Sequence, residues 1–298
     1  MRAPGAKVDG GWLARPTPSP LVGEGRGGGS RGDALTSQLT QGLSTPTPNP
    51  SPQACDRACD KRGPVGGGEQ QTAQTTLTVC DTTLIADRAG AIYWPDEKLL
   101  IVADLHLEKG SAFAARGVLL PPYDTAATLA GVARLVERYA PRLVITLGDS
   151  FHDGGGPLRM AAPDRAALTA LQRGRDWLWI TGNHDPHPVD GVGGEFAAAL
   201  ALGPLTFRHE PSREAGDGEI AGHLHPVARV AQRGRAVSRR CFAGDRRRLV
   251  MPAFGAYAGG LNVRDRAITA LFGTLAFTAH MLGARRLFAV AAERCLPD

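Results

Sequence analysis

The run Leu99-Leu-Ile-Val-Ala103-Asp104-Leu-His106 decides how this chain is read. Five apolar residues, the length of a buried strand, end on an aspartate and a histidine spaced two apart. In extended chain, residues two apart point to the same side, so both could ligate one ion. Four later segments share this build. Leu143–Leu147 runs into Gly148-Asp149, and Trp177–Ile180 into Gly182-Asn183-His184-Asp185. Leu205–Phe207 precedes His209, and Gly222-His223-Leu-His225 comes last. Each places a metal-binding side chain just past an expected strand end, where ligands of open α/β sheets gather.

Together the segments supply enough donors for two adjacent ions. A carboxylate has two oxygens and can bridge, and Asp149 stands alone between the other ligands. The assignment is Asp104, His106, Asp149 and His225 for one metal, and Asp149, Asn183, His209 and His223 for the other. Oxygen and nitrogen donors without thiolate favour Mn²⁺, Fe or Zn²⁺ over Ca²⁺ or Mg²⁺. Two such ions, roughly 3.5–4 Å apart, suit phosphoryl chemistry: an acidified bridging water attacks in line, without a covalent enzyme intermediate. The expected catalytic pair is His184, giving the leaving oxygen a proton, and Asp185, orienting that imidazole. The glycines before Asp149, Asn183 and His223 are expected to permit the turns that aim these side chains inward.

Each fragment also has a plainer reading. A lone histidine such as His209 is usually a surface or core residue, and an isolated GNHD or GxHxH is more often a polar-capped turn. Only the five together carry weight. His187 reads as a loop residue and His280, in an expected terminal helix, as structural. His152 and Asp153 stand just beyond Asp149, as loop residues or as neighbours of the site. Lys109, His152, Arg239 and Arg240 are candidates for contact with substrate phosphates.

Composition narrows the class. The 298 residues are 43% apolar and 21% charged, enough for a large core. No stretch approaches 18 consecutive apolar residues, and the N-terminus lacks the apolar region of a signal peptide, so a cytoplasmic location is expected. Five scattered cysteines argue against a disulfide framework. Cys80 and Cys241 read as buried apolar residues. Net charge of +5 and a pI near 9.2 are compatible with a polyanionic partner. Arg233, Arg235, Arg239, Arg240 and Arg246–Arg248 cluster late in the chain. They suit phosphate contacts, or equally a charged hairpin edge guarded against aggregation.

Residues 1–75 differ in kind. Gly23–Gly32, Thr45-Pro-Thr-Pro-Asn-Pro-Ser-Pro52 and Gly66–Gly68 cannot build a packed core, so a disordered tail is expected. A start site assigned too early is a second reading of that segment; the next methionine after Met1 is Met160. The working domain is read as residues 76–298. Within it, strands are expected at Leu77–Val79, Ala91–Trp94, Leu99–Ala103, Leu143–Leu147, Trp177–Ile180 and Leu205–Phe207. Helices are expected over 124–139, 164–172 and 195–200. After His225 come strands at 227–230, 236–242, 249–251, 261–263 and 268–272, a helix near 274–282 and a strand at 287–290. Alternation followed by a meander implies two mixed sheets sandwiched between helices.

The five segments resemble the motif set of the calcineurin-like metallophosphoesterase superfamily: DxH, GD, GNHD, a single H and GHxH. The resemblance implies a four-layer α/β fold, a double β-sandwich flanked by helices. The superfamily's phosphoprotein phosphatase branch carries GDxVDRG and GNHE, whereas this chain has Gly148-Asp149-Ser-Phe-His152-Asp153 and GNHD. A closer resemblance rests on Ala103-Asp104-Leu-His106-Leu-Glu-Lys109-Gly, Leu120-Pro-Pro-Tyr-Asp124-Thr, Phe207-Arg-His209-Glu-Pro, Glu219-Ile-Ala-Gly-His223-Leu-His225-Pro and Pro252-Ala-Phe-Gly-Ala-Tyr257. These are similar to the bacterial ligase-associated DNA damage response endonucleases (PdeM), from about Thr76 to Val290. That similarity implies a Mn²⁺-dependent phosphodiesterase or endonuclease in DNA repair, working with an ATP-dependent DNA ligase, a helicase and an exonuclease-like protein.

Two alternatives stay open at this point. A nucleotide or phosphomonoester phosphatase would use the same metal centre. A non-catalytic scaffold would be expected to have lost ligands or the proton donor, and none is missing here.

Overall fold

The computed structural model describes residues 74–298 except 215, 274 and 275. The expected tail, with Cys55 and Cys59, lies outside the described residues, apart from Gln74 and Thr75. These two begin the first strand, two residues ahead of the expected domain boundary.

Alternation of period two sets the first layer. Leu99, Ile101 and Ala103 face one side and Leu100 and Val102 the other, and all five are buried. A strand buried on both faces belongs inside a covered sheet. It is β4 (Leu99–Val102) of a seven-stranded sheet whose spatial order follows the chain. The others are β1 (Gln74–Val79), β2 (Thr82–Asp87), β3 (Ala91–Trp94), β5 (Leu143–Leu147), β6 (Asp176–Ile180) and β7 (Glu195–Ala197). The first four strands pair antiparallel, then β4 to β7 run parallel. Their connections carry α1 (Lys109–Ala114), α2 (Asp124–Tyr139), α3 (Gly156–Arg159) and α4 (Ala162–Gln172).

The second sheet has nine strands. In chain order these are β8 (Ala199–Leu202), β9 (Leu205–Arg208), β10 (Glu219–Ala221), β11 (Pro226–Gln232), β12 (Arg235–Gly244), β13 (Arg248–Val250), β14 (Leu261–Asn262), β15 (Thr278–Leu282) and β16 (Leu287–Ala291). Its main path runs β14-β11-β12-β13-β10-β9-β8, with β15 and β16 branching from β12. A short helix, α5 (Arg266–Thr269), lies between β14 and β15.

Three apolar cores separate the layers. Leu99, Ile101, Ile145 and Ile180 meet Leu205, Phe207, Ile220 and Phe242 between the sheets. On the outer face of the first sheet, Leu129, Val132, Leu135 and Val136 of α2 cover Leu100, Val102 and Val144. Ile268 of α5 and Cys295 near the C-terminus pack with Ala228 and Cys241 on the second sheet. Each buried Leu- or Ile-sized side chain adds about 1.5–3 kcal/mol of hydrophobic stabilisation. The expected α/β sandwich of two mixed sheets is therefore what the chain forms.

Several local expectations are overturned. Residues 195–200 are not helical: β7 ends one sheet and β8 begins the other, with Ala198 at the crossing. The alanines favour helix, but pairing with Leu178–Ile180 and with Leu205–Arg208 outweighs that weak preference. The expected helix near 274–282 is instead β15, paired with β12 and β16. The expected strand at 268–272 lies in α5 and a 3₁₀ turn, started by Asp265, whose side chain accepts the Ala267 N–H as an N-cap. Cys80 is half-buried in the β1–β2 turn rather than in a strand, with φ of 44°.

No helix among the described residues is long and apolar enough to cross a membrane.

Candidate metal centre

All five predicted segments lie at the carboxyl ends of strands. Asp104 follows β4, Asp149 follows β5 and Asn183 follows β6, three neighbours in one sheet. His209 and His223 follow β9 and β10, parallel neighbours in the other. The two rows meet where the sheets face each other.

The local backbone differs from the expected extended form. Asp104 and His106 have φ of 52° and 44°, and His223 and His225 have 69° and 45°. Asp149 has φ of 45°. Residues two apart converge because left-handed residues alternate with ordinary ones. Such conformations cost non-glycine residues roughly 1–3 kcal/mol each, and they persist where surrounding structure over-determines them. At Asp104 that structure includes the His223 N–H, 3.1 Å from Oδ2.

Close approach requires two of the glycines, and turning requires one of them as well. A Cβ on Gly148 would lie 2.3 Å from His209 Nδ1, and one on Gly182 would lie 2.2 Å from the Asp149 backbone nitrogen. Gly148 also has φ of 72°, whereas Gly182 is needed for space alone.

Two donor groups result. Asp104, His106 and His225 each offer an atom within 4.8 Å of the others, and Asp149, His209 and His223 do the same. In the first, His225 Nε2 lies 3.2 Å from Asp104 Oδ1 and 3.4 Å from His106 Nε2. In the second, His209 Nε2 lies 2.9 Å from Asn183 Oδ1, 3.1 Å from His223 Nδ1 and 3.4 Å from Asp149 Oδ1. The groups adjoin, since His209 Nδ1 is 3.7 Å from Asp104 Oδ1.

The donor chemistry fits divalent cations. His209 Nδ1–H donates to Leu147 O at 2.9 Å, which leaves Nε2, once its own proton is lost, facing three other acceptors. Acceptors so opposed need a positive charge among them. Their separations are close to the ~3 Å edge of a coordination shell with ~2.1 Å bonds. Burial, then the charge of His225, pushes His106 down to about 3, so its imidazole keeps a lone pair at neutral pH. Burial opposes charge on His209, but the hydrogen bond and charge of Asp149 and the charge of Asp104 raise it to about 9. The field that holds a second proton there also attracts a metal ion. Burial resists ionisation of Asp149 too, yet His209 holds its carboxyl down at about 2.

Around these groups the expected roles separate. His184 Nδ1–H donates to His152 O at 2.8 Å, and the rings stack with centroids 5.2 Å apart. Its Nε2 lies 4.0 Å from Asp149 Oδ2, and its backbone N–H donates to Asp149 Oδ1 at 2.9 Å. Asp185 does not orient the imidazole. It is buried and accepts backbone N–H groups from Gly182 (2.9 Å), Ser150 (2.8 Å) and Phe151 (3.1 Å), stapling the Asp149 and Asn183 loops together. Burial pushes this carboxyl up to about 6.

The phosphate-contact candidates divide likewise. Lys109 Nζ donates to Tyr257 O at 2.9 Å and sits 5.9 Å from the Phe113 ring. The His152 ring, stacked on His184, also packs on Phe113 at 5.5 Å. Arg240 is half-buried against the carbonyls of 253–255. Arg239 is exposed, bonded to the Ser238 carbonyl and to no donor group, so the structure does not bring it to the centre. His280, on β15 opposite Phe242, belongs to neither donor group.

One residue was missed. Glu108 continues the two-residue step from Asp104 and His106, with φ of 63°. Its buried carboxylate accepts from Thr125 Oγ1 (2.9 Å) and Ser111 Oγ (2.7 Å), anchoring the ligand turn to α1 and α2. The spacing D-x-H-x-E was the available signal.

Residues 97–233 match the family model for calcineurin-like phosphoesterases. No curated protein matches the sequence. Among solved structures, the Pseudomonas putida nuclease MPE is 27% identical, with a TM-score of 0.57, covering 73% of this chain and 100% of that one. The E. coli phosphoesterase Yfce is 16% identical, with a TM-score of 0.33 and coverage of 65% and 98%. With two groups of His and Asp donors at the strand ends of the matched region, residues 97–233 match a calcineurin-like phosphoesterase domain, and the chain is a hydrolase acting on phosphoric esters.

Proposed function

We propose that the chain hydrolyses phosphodiester bonds at a two-metal centre and acts on DNA, as an endonuclease or phosphodiesterase of ligase-associated repair. One observation carries this reading: two donor groups abut, with Asp149 in one and Asp104 in the other both within 4 Å of His209. The 27% identity to a nuclease matched along its whole length supports a nucleic-acid substrate.

Asp104, His106 and His225 would hold one ion, and His209, His223 and Asn183 the other, with Asp149 shared. Mn²⁺ suits this mixture of imidazole and oxygen donors, with Fe and Zn²⁺ as substitutes. Bound divalent ions supply Lewis acidity toward water and toward the phosphate oxygens. His184 supplies the proton. With Nδ1–H committed to the His152 carbonyl, Nε2 is the nitrogen that, when it carries a proton, would pass it to the leaving oxygen, and the half-open side chain can meet substrate. Asp185 acts through the loops it joins. His152 stacks on His184 and Lys109 lies over the Phe113 ring that His152 also touches, and both are assigned to phosphate oxygens. A DNA substrate agrees with a cytoplasmic enzyme partnered by an ATP-dependent ligase, a helicase and an exonuclease-like protein.

The test is purified protein with Mn²⁺ on bis- and mono-p-nitrophenyl phosphate and on short DNA at several salt concentrations. Diester and DNA turnover, with DNA turnover falling as salt rises, is the expected result. Salt-insensitive turnover of a nucleotide or monoester alone would establish the phosphatase reading instead. No turnover with metal bound would leave a scaffold.

A further inference from the structure

Seven arginines lie between 233 and 248, and the last three have carboxylate partners. Arg246 faces Asp81 at 3.8 Å, Arg247 bonds Asp217, and buried Arg248 faces Glu219 at 3.7 Å. Arg240 is built differently. It is half-buried on β12, opposite Val227, and has no ion pair among the described residues. Its Nη1 donates to Ala253 O at 2.7 Å, with Phe254 O at 3.4 Å and Gly255 O at 3.5 Å. Its Nε and Nη2 have no hydrogen-bond partner among the described residues, and neither is sealed from solvent.

A half-buried cation without a counter-ion is costly to keep. Burial alone acts on this guanidinium, pushing its pKa down. Three carbonyls hold one corner of the fork, and the other two nitrogens stay open. The loop that holds it belongs to the metal centre: Phe254 N–H donates to Ala103 O at 2.8 Å and Gly255 N–H to Asp104 O at 3.1 Å. Lys109 grips the same loop at Tyr257 O. A cation from each half of the sandwich thus clamps one loop beside Asp104, and Arg240 keeps a free two-pronged donor edge. That edge matches two oxygens of a phosphate, which a planar guanidinium binds bidentately.

We propose that Arg240 binds a second phosphate of the substrate strand, next to the one being hydrolysed. It is then a specificity-determining residue favouring a polynucleotide over a mononucleotide or monoester. The proposal rests on the phosphodiester reading above and adds the length requirement that reading lacks.

The experiment uses the Mn²⁺-loaded full chain, with kcat/KM measured on an oligodeoxynucleotide and on bis-p-nitrophenyl phosphate across a salt series. Arg240→Gln removes the charge and the guanidinium fork while keeping a polar side chain. The ratio of DNA to chromogenic-diester kcat/KM is expected to fall about tenfold, and the slope of log kcat/KM against log salt to shrink by about one. Arg240→Lys, which keeps the charge but not the fork, is expected to retain the slope and lose part of the ratio. Equal losses on both substrates would make Arg240 a loop support only and overturn the proposal, as would an unchanged ratio and slope. Should Arg240→Gln fail to fold, Arg240→Lys decides by the same ratio. Failure of the parent reading would look different: wild-type protein would hydrolyse neither diester.

Discussion

His184 Nδ1 lies 2.8 Å from the backbone oxygen of His152, and the two imidazoles stack with only 25° between their planes. This relationship fixes the tautomer, because a carbonyl can only accept. Nδ1 carries the hydrogen, and Nε2 is left to face Asp149 and any substrate above it. A backbone carbonyl thus does the orienting that the sequence assigned to Asp185.

His184→Ala should keep its metal and slow turnover of DNA by roughly 10²–10⁴-fold, the scale of a lost general acid. The loss should shrink on bis-p-nitrophenyl phosphate, whose leaving group needs little protonation. Metal analysis beside kinetics on both substrates checks this. An equal loss on both would remove His184 from proton transfer.

Asp185→Ala tests the staple. The variant leaves three backbone N–H groups, those of Gly182, Ser150 and Phe151, without their acceptor. Buried donors left unpaired cost about 1–3 kcal/mol each, so a loss of at least roughly 3 kcal/mol is expected. For a domain of this size, Tm should drop by about 6–12 °C. Unchanged thermal unfolding would show that water replaces the carboxylate freely.

The chemistry was legible in the sequence where it depended on residue type and chain order. Apolar runs ending in Asp104, Asp149, Asn183, His209 and His223 named the strands and the donors, since burial and ligation both restrict side chains. What escaped was set by distant partners. The alanine-rich stretch 195–202 has helical preference, but hydrogen bonds to β6 and β9 decide its form. The left-handed turns at Asp104 and His106 are held by the His223 N–H, 119 residues from Asp104 in the chain, and by the Asp149 carbonyl, which accepts from His106 N–H. Arg240 gave no hint that its partners would be carbonyls.

Metal uptake should be proton-linked. In the metal-free protein Asp149 and Asp104 outweigh burial and raise His209 to about 9, so the imidazole carries an extra proton at neutral pH. A metal can take Nε2 only when that proton leaves. Apparent Mn²⁺ affinity should therefore rise with pH through neutrality and level off above about 9. Calorimetric titration in buffers of different ionisation enthalpy should register close to one proton released per chain from this residue. Affinity independent of pH between 6 and 8 would place the ion elsewhere.

Residues 74–298 alone should fold and keep the wild-type rate. β1 pairs with β2 over six residues starting at Gln74, and Leu77 and Val79 bury themselves between the sheets. A start at Thr76 would cut two of those pairs, so Gln74 is the safer boundary. Loss of solubility or rate in the shortened protein would give residues 1–73 a role.

Asp149→Asn is the sharpest test of a shared carboxylate. The side chains have nearly the same shape, and an amide oxygen can still accept the His184 N–H now held at 2.9 Å. The fold should survive, with unfolding temperature near that of metal-free wild type. The charge is lost, however, and an amide nitrogen cannot ligate, so the centre loses its bridge. The same change removes the strongest influence keeping a proton on His209, which should titrate nearer the ordinary imidazole range. The expected outcome is reduced Mn²⁺ by elemental analysis, activity lost on every phosphate ester, and weaker proton release during metal titration. A variant with wild-type metal content and turnover would mean that Asp149 caps the His184 turn and bridges nothing.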